Sequence, residues 1–348
     1  MSAFATPKLA DILEERRKRT ERGAAPKPFI SIEFYPPKSE SGVTSMLQAL
    51  EDLRVYAPLF CDMTWGAGGS TSDLTLSLCK MITERKVVAN MHLTCTNVST
   101  EKLDAALVVA RETGIRNLLA LRGDPPAGEQ AWSASDSKFT CALDLVRYIR
   151  ASSDDYFNIT VAGYPEGHPT QMEVVYDETS LSRTEAARCN RQVDETGKSL
   201  TYVCRDSAYA ESLAYLKQKV EAGASTIITQ MFFEPSLFLT FVADCRNAGI
   251  TVPILPGIMI ITTAGGFKRM AGFCKSRVPD DLALKIQELE KEDEAMCRAF
   301  GIDYGVDMCR KLIAGQVEGL HFYCLNSSGS TKAIIERIRE DIDIPPLQ

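Results

Sequence analysis

The chain has 348 residues, of which 45% are hydrophobic and 24% are charged, and its formal net charge is −7. This composition is typical of a soluble globular protein with a large core. The acidic balance argues against a general nucleic-acid or anionic-membrane binder, because such proteins need a basic face. No apolar run approaches the ~20 residues that a membrane-spanning helix needs.

The 11 cysteines form no Cys-x-x-Cys pair, and the three histidines, His92, His168 and His321, are far apart in the sequence. An odd number of scattered cysteines favours a reduced protein with buried thiols over a disulfide framework or a zinc site. The N-terminal segment contains Asp11 and Glu14, and signal and transit peptides lack such acids. The sequence therefore predicts a cytoplasmic protein without a metal site.

In chain order, residues 1–27 contain a helical pattern that we expect to pack outside the rest of the fold. From residue 29 onward, short apolar runs alternate with longer amphipathic segments. Nearly continuous apolar runs are typical of parallel strands that are buried on both faces. The eight predicted strands are 29–34, 59–64, 87–94, 117–121, 157–162, 226–231, 253–256 and 319–324. The predicted helices are 43–53, 72–83, 101–112, 142–151, 211–221 and 236–248, with two more in 280–316.

Eight strand–helix pairs in sequence favour one α/β domain over residues 1–348, a closed (β/α)8 TIM barrel. An open doubly wound sheet would give a similar pattern. Residues 170–207, after the fifth strand, are polar, irregular and long for a loop, and such loops are usually functional or disordered. The run 193–200 could turn a hairpin there. The glycine-rich run 66–70 is a weak match to a dinucleotide-binding loop, because its sixth position is Thr71.

Polar residues stand at or near the carboxyl ends of seven of the eight predicted strands. In a TIM barrel these ends form one open face, on which the catalytic groups lie. We therefore predict that these side chains surround one site. They are Glu33, Thr64 with Trp65, His92, Arg122 with Gly123 and Asp124, Tyr164 with His168, Gln230, and Tyr323 with Asn326.

Each of these residues also has a purely structural interpretation. Glu33 could be an interior carboxylate paired with an arginine, but its apolar neighbours Ile32 and Phe34 predict a raised pKa, which a general acid requires. His92 could be a core histidine, and the tyrosines could simply pack. Arg122 suits a phosphate, although the segment could be a turn. The residues alone thus predict a barrel with an anionic-cofactor site, one raised-pKa acid and no metal, and they leave the reaction open.

Several motifs, in order over residues 28–326, resemble those of the methylenetetrahydrofolate reductase family. A set of long motifs in register is far more specific than a single one. The motifs are Glu33-Phe34-Tyr35-Pro36-Pro37-Lys38, Asp62-Met63-Thr64-Trp65-Gly66-Ala67-Gly68-Gly69-Ser70, Leu121-Arg122-Gly123-Asp124-Pro125, Tyr164-Pro165-Glu166-Gly167-His168-Pro169, Ile228-Thr229-Gln230, Pro256-Gly257-Ile258 and His321-Phe322-Tyr323-Cys324-Leu325-Asn326.

The resemblance implies a bound FAD and a ping-pong reaction, in which NADH or NADPH reduces the flavin and the flavin then reduces 5,10-methylenetetrahydrofolate to 5-methyltetrahydrofolate. It implies Glu33 and Asp124 as catalytic residues, Glu33 being the general acid. The folate would contact Glu33, Asp124, Gln230 and Tyr323. The implied FAD-binding residues are Thr64, Trp65, His92, Arg122, Gly123, Asp124, Ala142, Tyr164, His168 and Lys219. The resemblance also implies a homo-oligomer, a dimer or a tetramer.

The chain departs from the family pattern in three places. Ser327 stands where the family often has an arginine that contacts the folate, and Glu211 or Ser212 would replace the usual aspartate near the cofactor. Residues 170–207 exceed the usual loop, and we expect them to cover the cofactor or to form a subunit contact. The chain also ends soon after the barrel, so we expect no C-terminal regulatory domain of the eukaryotic kind and no inhibition by S-adenosylmethionine.

Two other functions are consistent with the residues. One is another FAD-dependent barrel oxidoreductase, similar to proline dehydrogenase, which its amino acid rather than a nicotinamide cofactor would reduce. The other is a non-catalytic barrel that binds a folate or a nucleotide. Ser327 and the altered loop favour this second alternative, whereas the presence of Glu33, Asp124 and Gln230 argues against it.

Overall fold

The computed structural model describes residues 6–21, 27–66, 71–95, 98–123, 138–193 and 199–345. Helices and strands alternate through most of it. The strands are β1 Phe29–Phe34, β2 Cys61–Met63, β3 Ala89–Thr94, β4 Asn117–Leu121, β5 Asn158–Gly163, β6 Glu173–Val175, β7 Asn190–Val193, β8 Ser199–Val203, β9 Thr226–Thr229, β10 Ile254–Leu255, β11 Gly257–Met259 and β12 Gly319–Tyr323. The α-helices are α1 Leu9–Glu21, α2 Glu40–Arg54, α3 Ser72–Glu84, α4 Thr100–Glu112, α5 Ala142–Ser153, α6 Arg183–Arg188, α7 Asp206–Glu221, α8 Pro235–Asn247, α9 Ala264–Cys274, α10 Asp280–Leu289, α11 Glu294–Ala314 and α12 Gly329–Arg337.

The predicted barrel is confirmed. Nine strand segments form one parallel sheet in the order β10-β9-β5-β4-β3-β2-β1-β12-β11. The two end segments, β10 and β11, are parts of one strand that only Pro256 separates. A proline lacks the N–H that a sheet ladder needs, so the strand is divided there. β10 pairs with β9 and β11 pairs with β12, so the ring closes around eight strand positions.

The first helix lies across the floor of the barrel, at the amino ends of the strands. The backbone N–H groups of Leu9 and Ala10 donate to the side chains of Asn117 and Asn158, the first residues of β4 and β5. Leu9 and Leu13 pack into an apolar cluster with Phe29, Phe60, Leu119, Ile228 and Leu255. The helix is outside the ring, as predicted, and it closes the floor to solvent.

The predicted strand and helix positions agree with the structure to within a few residues in most cases. Serine side chains cap two of the predicted helices: Ser39 accepts from the N–H of Gly42 at the start of α2, and Ser99 accepts from the N–H of Lys102 at the start of α4. Three helices, α6, α9 and α12, were not predicted. Of the helices in the described residues, none is both long enough and apolar enough to cross a bilayer.

The segment 170–207 is more ordered than the sequence suggested. It contains a three-stranded sheet in the order β6-β8-β7, and α6 precedes β7. β7 and β8 form the antiparallel pair that the hairpin interpretation required, with residues 194–198 between them outside the described part. The prediction of an irregular loop was therefore wrong. Two ion pairs join residues of this segment: Arg191 pairs with Glu178, and Arg205 pairs with Glu173.

All 11 cysteines are free thiols, and all except Cys141 are buried. Burial raises the pKa of several of them, to about 12 in the case of Cys245. They therefore act as small apolar groups of the core.

Candidate active site

Two joined depressions open at the carboxyl ends of the barrel strands. The larger, which we call the central cleft, has a volume of about 1450 Å³ including its open mouth. The smaller, which we call the lateral cavity, has a volume of about 970 Å³ on the same measure. Leu121, Arg122, Ala162, Tyr164 and His168 line both. An elongated ligand can therefore occupy the two at once.

The structure brings the site residues that we predicted from the sequence to these two depressions. The central cleft is lined by Glu33, Thr64, Trp65, His92, Arg122, Gly123, Tyr164, His168, Gln230 and Tyr323. Ala142 and Lys219 line the lateral cavity. Asp124 lies outside the described residues. Glu33 and Gln230 thus share one cleft, and the position of Asp124 relative to them stays a prediction.

Glu33 is held by two histidines and not by an arginine. His92 Nε2 lies 3.4 Å and His321 Nε2 lies 3.5 Å from Glu33 Oε2. The side chain of Glu33 is 17% exposed, toward the cleft. Both histidines contact Oε2, so Oε1 is the oxygen available to a ligand.

A buried carboxylate, Asp62, completes this group from the neighbouring strand. Asp62 stands opposite Glu33 in the β1–β2 register, and its side chain is fully buried. Its Oδ2 lies 3.1 Å from His92 Nε2, whereas its Oδ1 has no hydrogen-bond partner among the residues that the structure describes. Burial lowers the pKa of His92, but the carboxylates of Glu33 and Asp62 outweigh that effect, and the pKa lies above its usual value.

His321 approaches the same two carboxylates from β12. Its Nδ1 lies 2.9 Å from Ser31 Oγ, and its Nε2 lies 3.9 Å from Asp62 Oδ2. Since Nε2 faces two carboxylates, the proton of the neutral ring belongs on Nε2, and Nδ1 accepts from the Ser31 hydroxyl. We call Glu33, Asp62, His92 and His321 the acid cluster.

The acid cluster also has a geometry that a cation could use. Glu33, Asp62 and His321 each offer a ligand atom, and these atoms lie within 4.8 Å of one another. The shortest contacts of the cluster, however, join a histidine nitrogen to a carboxylate oxygen at hydrogen-bond distance. Shared protons therefore fit the cluster better than a metal ion does.

Tyr323 forms the wall of the cleft opposite β9. Its hydroxyl donates to the carbonyl of Thr229 at 2.7 Å, which fixes the ring at the cleft and leaves the hydroxyl oxygen able only to accept from a ligand. Gly257 leaves room for this hydrogen bond, because a Cβ at that position would lie 2.2 Å from the Thr229 carbonyl oxygen and 2.4 Å from the Tyr323 hydroxyl. Gln230 follows Thr229 in the chain, and its side-chain Oε1 accepts from the backbone N–H of Met231.

The lateral cavity is electrically positive. Lys219 is buried, donates to the carbonyl of Ala162 at 2.9 Å, and has its pKa lowered to about 8 by that burial. Burial also lowers the pKa of His168 to about 4, with further lowering from the charges of Arg122, Lys219 and Lys275. These cations, together with the neutral histidine, can bind an anionic group such as a diphosphate.

The segment after β5 reaches the lateral cavity through its first residues. Thr170 and Gln171 line the cavity, and Gln171 Oε1 accepts from the Ser212 hydroxyl. Ser212 also lines the cavity, whereas Glu211 is exposed. Of the two residues that we expected to replace the family's aspartate, Ser212 is thus the one at the cavity. Ser327 is exposed on the loop after β12.

Sequence reasoning missed Asp62 and His321 as site residues, and it assigned Asn326 to the site although its amide bonds both backbone groups of Tyr35 at the rim. We searched the strand ends, whereas Asp62 and His321 lie inside the barrel. A signal was present: a single charged residue interrupts the apolar run Phe60-Cys61-Asp62-Met63.

Comparisons with known proteins give one consistent result. The sequence profile of the family described as methylenetetrahydrofolate reductase matches residues 18–339. "Methylenetetrahydrofolate reductase (NADH) 1" of Arabidopsis thaliana is 43% identical over 93% of this chain and 50% of its own length. "Methylenetetrahydrofolate reductase 1" of Schizosaccharomyces pombe is 40% identical over 88% of this chain and 45% of its own length. The chain thus spans about half the length of the curated relatives it matches.

A solved structure has the same fold. It is that of a Clostridium thermocellum protein that binds two copies of 5-methyl-5,6,7,8-tetrahydrofolic acid, and it superposes with a TM-score of 0.59 over 95% of this chain and 98% of that one. At 12% identity, this similarity shows the fold alone.

Proposed function

The chain belongs to the methylenetetrahydrofolate reductase family, and from that membership we propose that it reduces 5,10-methylenetetrahydrofolate to 5-methyltetrahydrofolate, with FAD as the bound cofactor and NADH or NADPH as the reductant. One observation carries the proposal. Glu33 and Gln230, which the family motifs supply, line one cleft, and this cleft joins a cationic cavity.

The residues present fit FAD. The buried Lys219 and the neutral His168 stand in a field of positive charge, which suits the diphosphate. Gly123 has a φ of +97°, a conformation that lets the backbone approach a ligand closely. We propose that Arg122, Ala142, His168 and Lys219 hold the diphosphate and adenosine end, while Thr64, Trp65, Gly123 and Tyr164 border the ring system. When bound, FAD supplies the hydride chemistry.

In this proposal the protein's own residues bind the folate and move one proton. Gln230 orients the pterin edge through its amide, and Tyr323 presents its ring to the folate. Glu33 Oε1 donates a proton to the ring nitrogen that must leave the one-carbon unit. Asp124, outside the described residues, is proposed to act beside Glu33 on the strength of the Arg122-Gly123-Asp124 motif alone.

The experiment follows the two halves of the reaction separately under anaerobic conditions. Purified protein is expected to be yellow, to bleach on addition of NADH or NADPH, and to regain its colour on addition of 5,10-methylenetetrahydrofolate. Comparing the two nicotinamide cofactors identifies the preferred reductant. A colourless protein that gains no flavin spectrum on incubation with FAD would refute the proposal, as would a bleached protein that the folate leaves bleached.

Only the first residues of the segment 170–207 border the proposed cofactor site. Thr170 and Gln171 border the lateral cavity, and the side chain of Gln192 donates to the carbonyl of Gly272 in α9. We propose that the segment supports the cofactor end of the site. Replacing residues 173–203 by a short glycine-serine linker is then expected to weaken FAD binding. Unchanged FAD affinity, oligomer size and turnover would argue against it.

A further inference from the structure

The acid cluster contains a buried charge that the proposed function does not use. Asp62 is fully buried, and His92 is its hydrogen-bond partner among the described residues. An isolated carboxylate in the protein interior is very costly unless a cation or several donors accompany it. Within the described residues Asp62 Oδ1 has no partner, so the contacts that stabilise this charge there are made at Oδ2, by His92 at 3.1 Å and more distantly by His321 at 3.9 Å.

His92 lies between two carboxylates. Its Nε2 is 3.1 Å from Asp62 and 3.4 Å from Glu33, so one N–H can turn between them. While Glu33 carries its own proton, the N–H of His92 is best directed at Asp62. Once Glu33 has lost that proton, the imidazolium lies at its newly charged oxygen.

We propose that Asp62 is a positioning residue for proton donation by Glu33, acting through His92, which it holds in the protonated form beside the acid. The inference rests on the proposed function, since it concerns the proton that Glu33 gives to the folate.

The proton balance is simple. Glu33 Oε1–H transfers its proton to the folate ring nitrogen, and the O–H bond breaks as the N–H bond forms. The carboxylate that remains accepts hydrogen bonds at Oε2 from His92 and His321, so the cluster has one proton fewer. Solvent restores that proton through the cleft after the product leaves.

The other titratable groups near the cluster do not interfere. Burial raises the pKa values of Cys61, Cys324 and Tyr323, so these groups stay neutral. Arg122 lines the same cleft. The charges that raise the pKa of His92 are Glu33 on β1 and Asp62 on β2.

The test uses Asp62→Asn, which removes a charge without touching the cleft. A cluster that loses a negative charge binds its protons more weakly. The alkaline limb of the folate half-reaction is therefore expected to move to lower pH by about one unit or more, as a charge at this distance requires. Its rate at pH 7 should fall roughly 10- to 100-fold, the lower part of the range for acid catalysis. Reduction by the nicotinamide cofactor should stay within about twofold.

Thr160→Val is the matched control. Thr160 is buried on β5 with an unpartnered hydroxyl, and it lines neither depression, so both half-reactions should be unchanged. An Asp62→Asn protein with an unmoved alkaline limb would overturn the proposal. A variant in which both half-reactions slow equally would also overturn it, since that result indicates a purely structural role.

A second measurement needs no Asp62 variant. The chain has three histidines, so NMR of histidine-labelled wild-type protein gives three ring signals, and His168→Gln identifies one of them. We expect one of the two remaining rings to titrate at a higher pH than a free histidine, because Glu33 and Asp62 favour its charged form. Two remaining rings that both titrate at or below the ordinary histidine value would overturn the proposal. If the folate fails to reoxidise the wild-type protein, the proposed function fails, and this titration still decides the state of the cluster.

Discussion

Glu166 permits a quantitative prediction about stability and pH. It follows β5 between Tyr164 and His168, and it is only 5% exposed. Its Oε2 accepts from the backbone N–H of Arg277 at 2.7 Å, whereas its Oε1 has no hydrogen-bond partner in the described part of the chain. Burial raises the pKa of Glu166 from 4.5 to about 8, against the opposing effects of the Arg277 N–H and charge. The carboxyl group is therefore protonated in the folded protein at neutral pH.

The sign and size of the effect follow from proton linkage. In the unfolded chain Glu166 ionises near pH 4.5, whereas in the folded protein it ionises near pH 8. Between these values folding takes up a proton, so the free energy of unfolding falls as the pH rises. The slope approaches 1.4 kcal/mol per pH unit, which amounts to about 3 kcal/mol between pH 5 and 7.5. Below about pH 4.5 Glu166 is protonated in both the folded and the unfolded protein, so its titration no longer lowers the free energy of unfolding.

Glu166→Gln removes the titration and keeps an oxygen for the Arg277 N–H. The measurement is the free energy of unfolding in urea for both proteins at several pH values from about 5 to 7.5. The amide leaves a buried N–H₂ group unpaired, which costs about 1–3 kcal/mol at every pH. The expected result concerns the difference in the free energy of unfolding between the two proteins. Since only the wild type loses stability through Glu166 as the pH rises, this difference changes by about 3 kcal/mol in favour of the variant from pH 5 to 7.5. A difference that stays constant with pH would refute the reasoning.

Three further predictions concern the acid, the cofactor and the core. Glu33→Gln should keep the flavin colour and its reduction by the nicotinamide cofactor, while the folate half-reaction slows by roughly 10²- to 10⁴-fold in stopped-flow measurements; equal folate turnover would remove Glu33 from the mechanism. Lys219→Met should weaken FAD binding about 10- to 100-fold, the contribution of a charged hydrogen bond, as measured by titrating apoprotein with FAD; unchanged affinity would contradict a diphosphate at this position. Gly301→Ala should destabilise the protein by about 1–3 kcal/mol, because its Cβ would lie 1.8 Å from the carbonyl oxygen of Ile261. The control, Gly272→Ala, meets nothing within 4 Å and should be neutral or stabilising by up to about 1 kcal/mol in the same unfolding assay.

The barrel could be predicted because its strands are buried on both faces and therefore appear as continuous apolar runs. The elements that were missed lack such a signal. Helix α9 begins Ala264-Gly265-Gly266, and two glycines at its start conceal a helix whose N-terminus Thr263 caps. The division of the seventh strand at Pro256 was also missed, although a proline within a strand indicates such a break.

The segment 170–207 was misjudged for a different physical reason. Its small sheet has few buried apolar residues, namely Val175, Cys189 and Val203 with Leu181 against them. Its strands are joined by the antiparallel β6–β8 and β7–β8 ladders, and its side chains form ion pairs such as that of Arg191 with Glu178. Periodicity of apolar residues cannot reveal an element with so few buried apolar side chains, so the polar sequence resembled a loop.

The candidate site could be predicted at the strand ends, because a TIM barrel places its ligands there. The acid cluster could not be predicted in the same way. Its members lie on three neighbouring strands and on β12, and their proximity depends on barrel closure and register. Glu33 stands opposite both Asp62 and Tyr323 only because β1 pairs with β2 on one side and with β12 on the other.

The floor of the barrel bears on how the acid cluster exchanges protons. The ring of Phe60 stacks on His321 with their centroids 5.8 Å apart, and Phe60 belongs to the apolar cluster that Leu9 and Leu13 of α1 complete. An apolar layer therefore covers the cluster on the floor side, whereas Glu33 is partly exposed to the cleft on the other side. A ligand that fills the cleft then separates Glu33 from solvent at the moment of proton transfer. Under those conditions the carboxylate that forms is stabilised at its Oε2 by the two histidines rather than by water, and our proposal gives Asp62 on the neighbouring strand the role of keeping His92 protonated there.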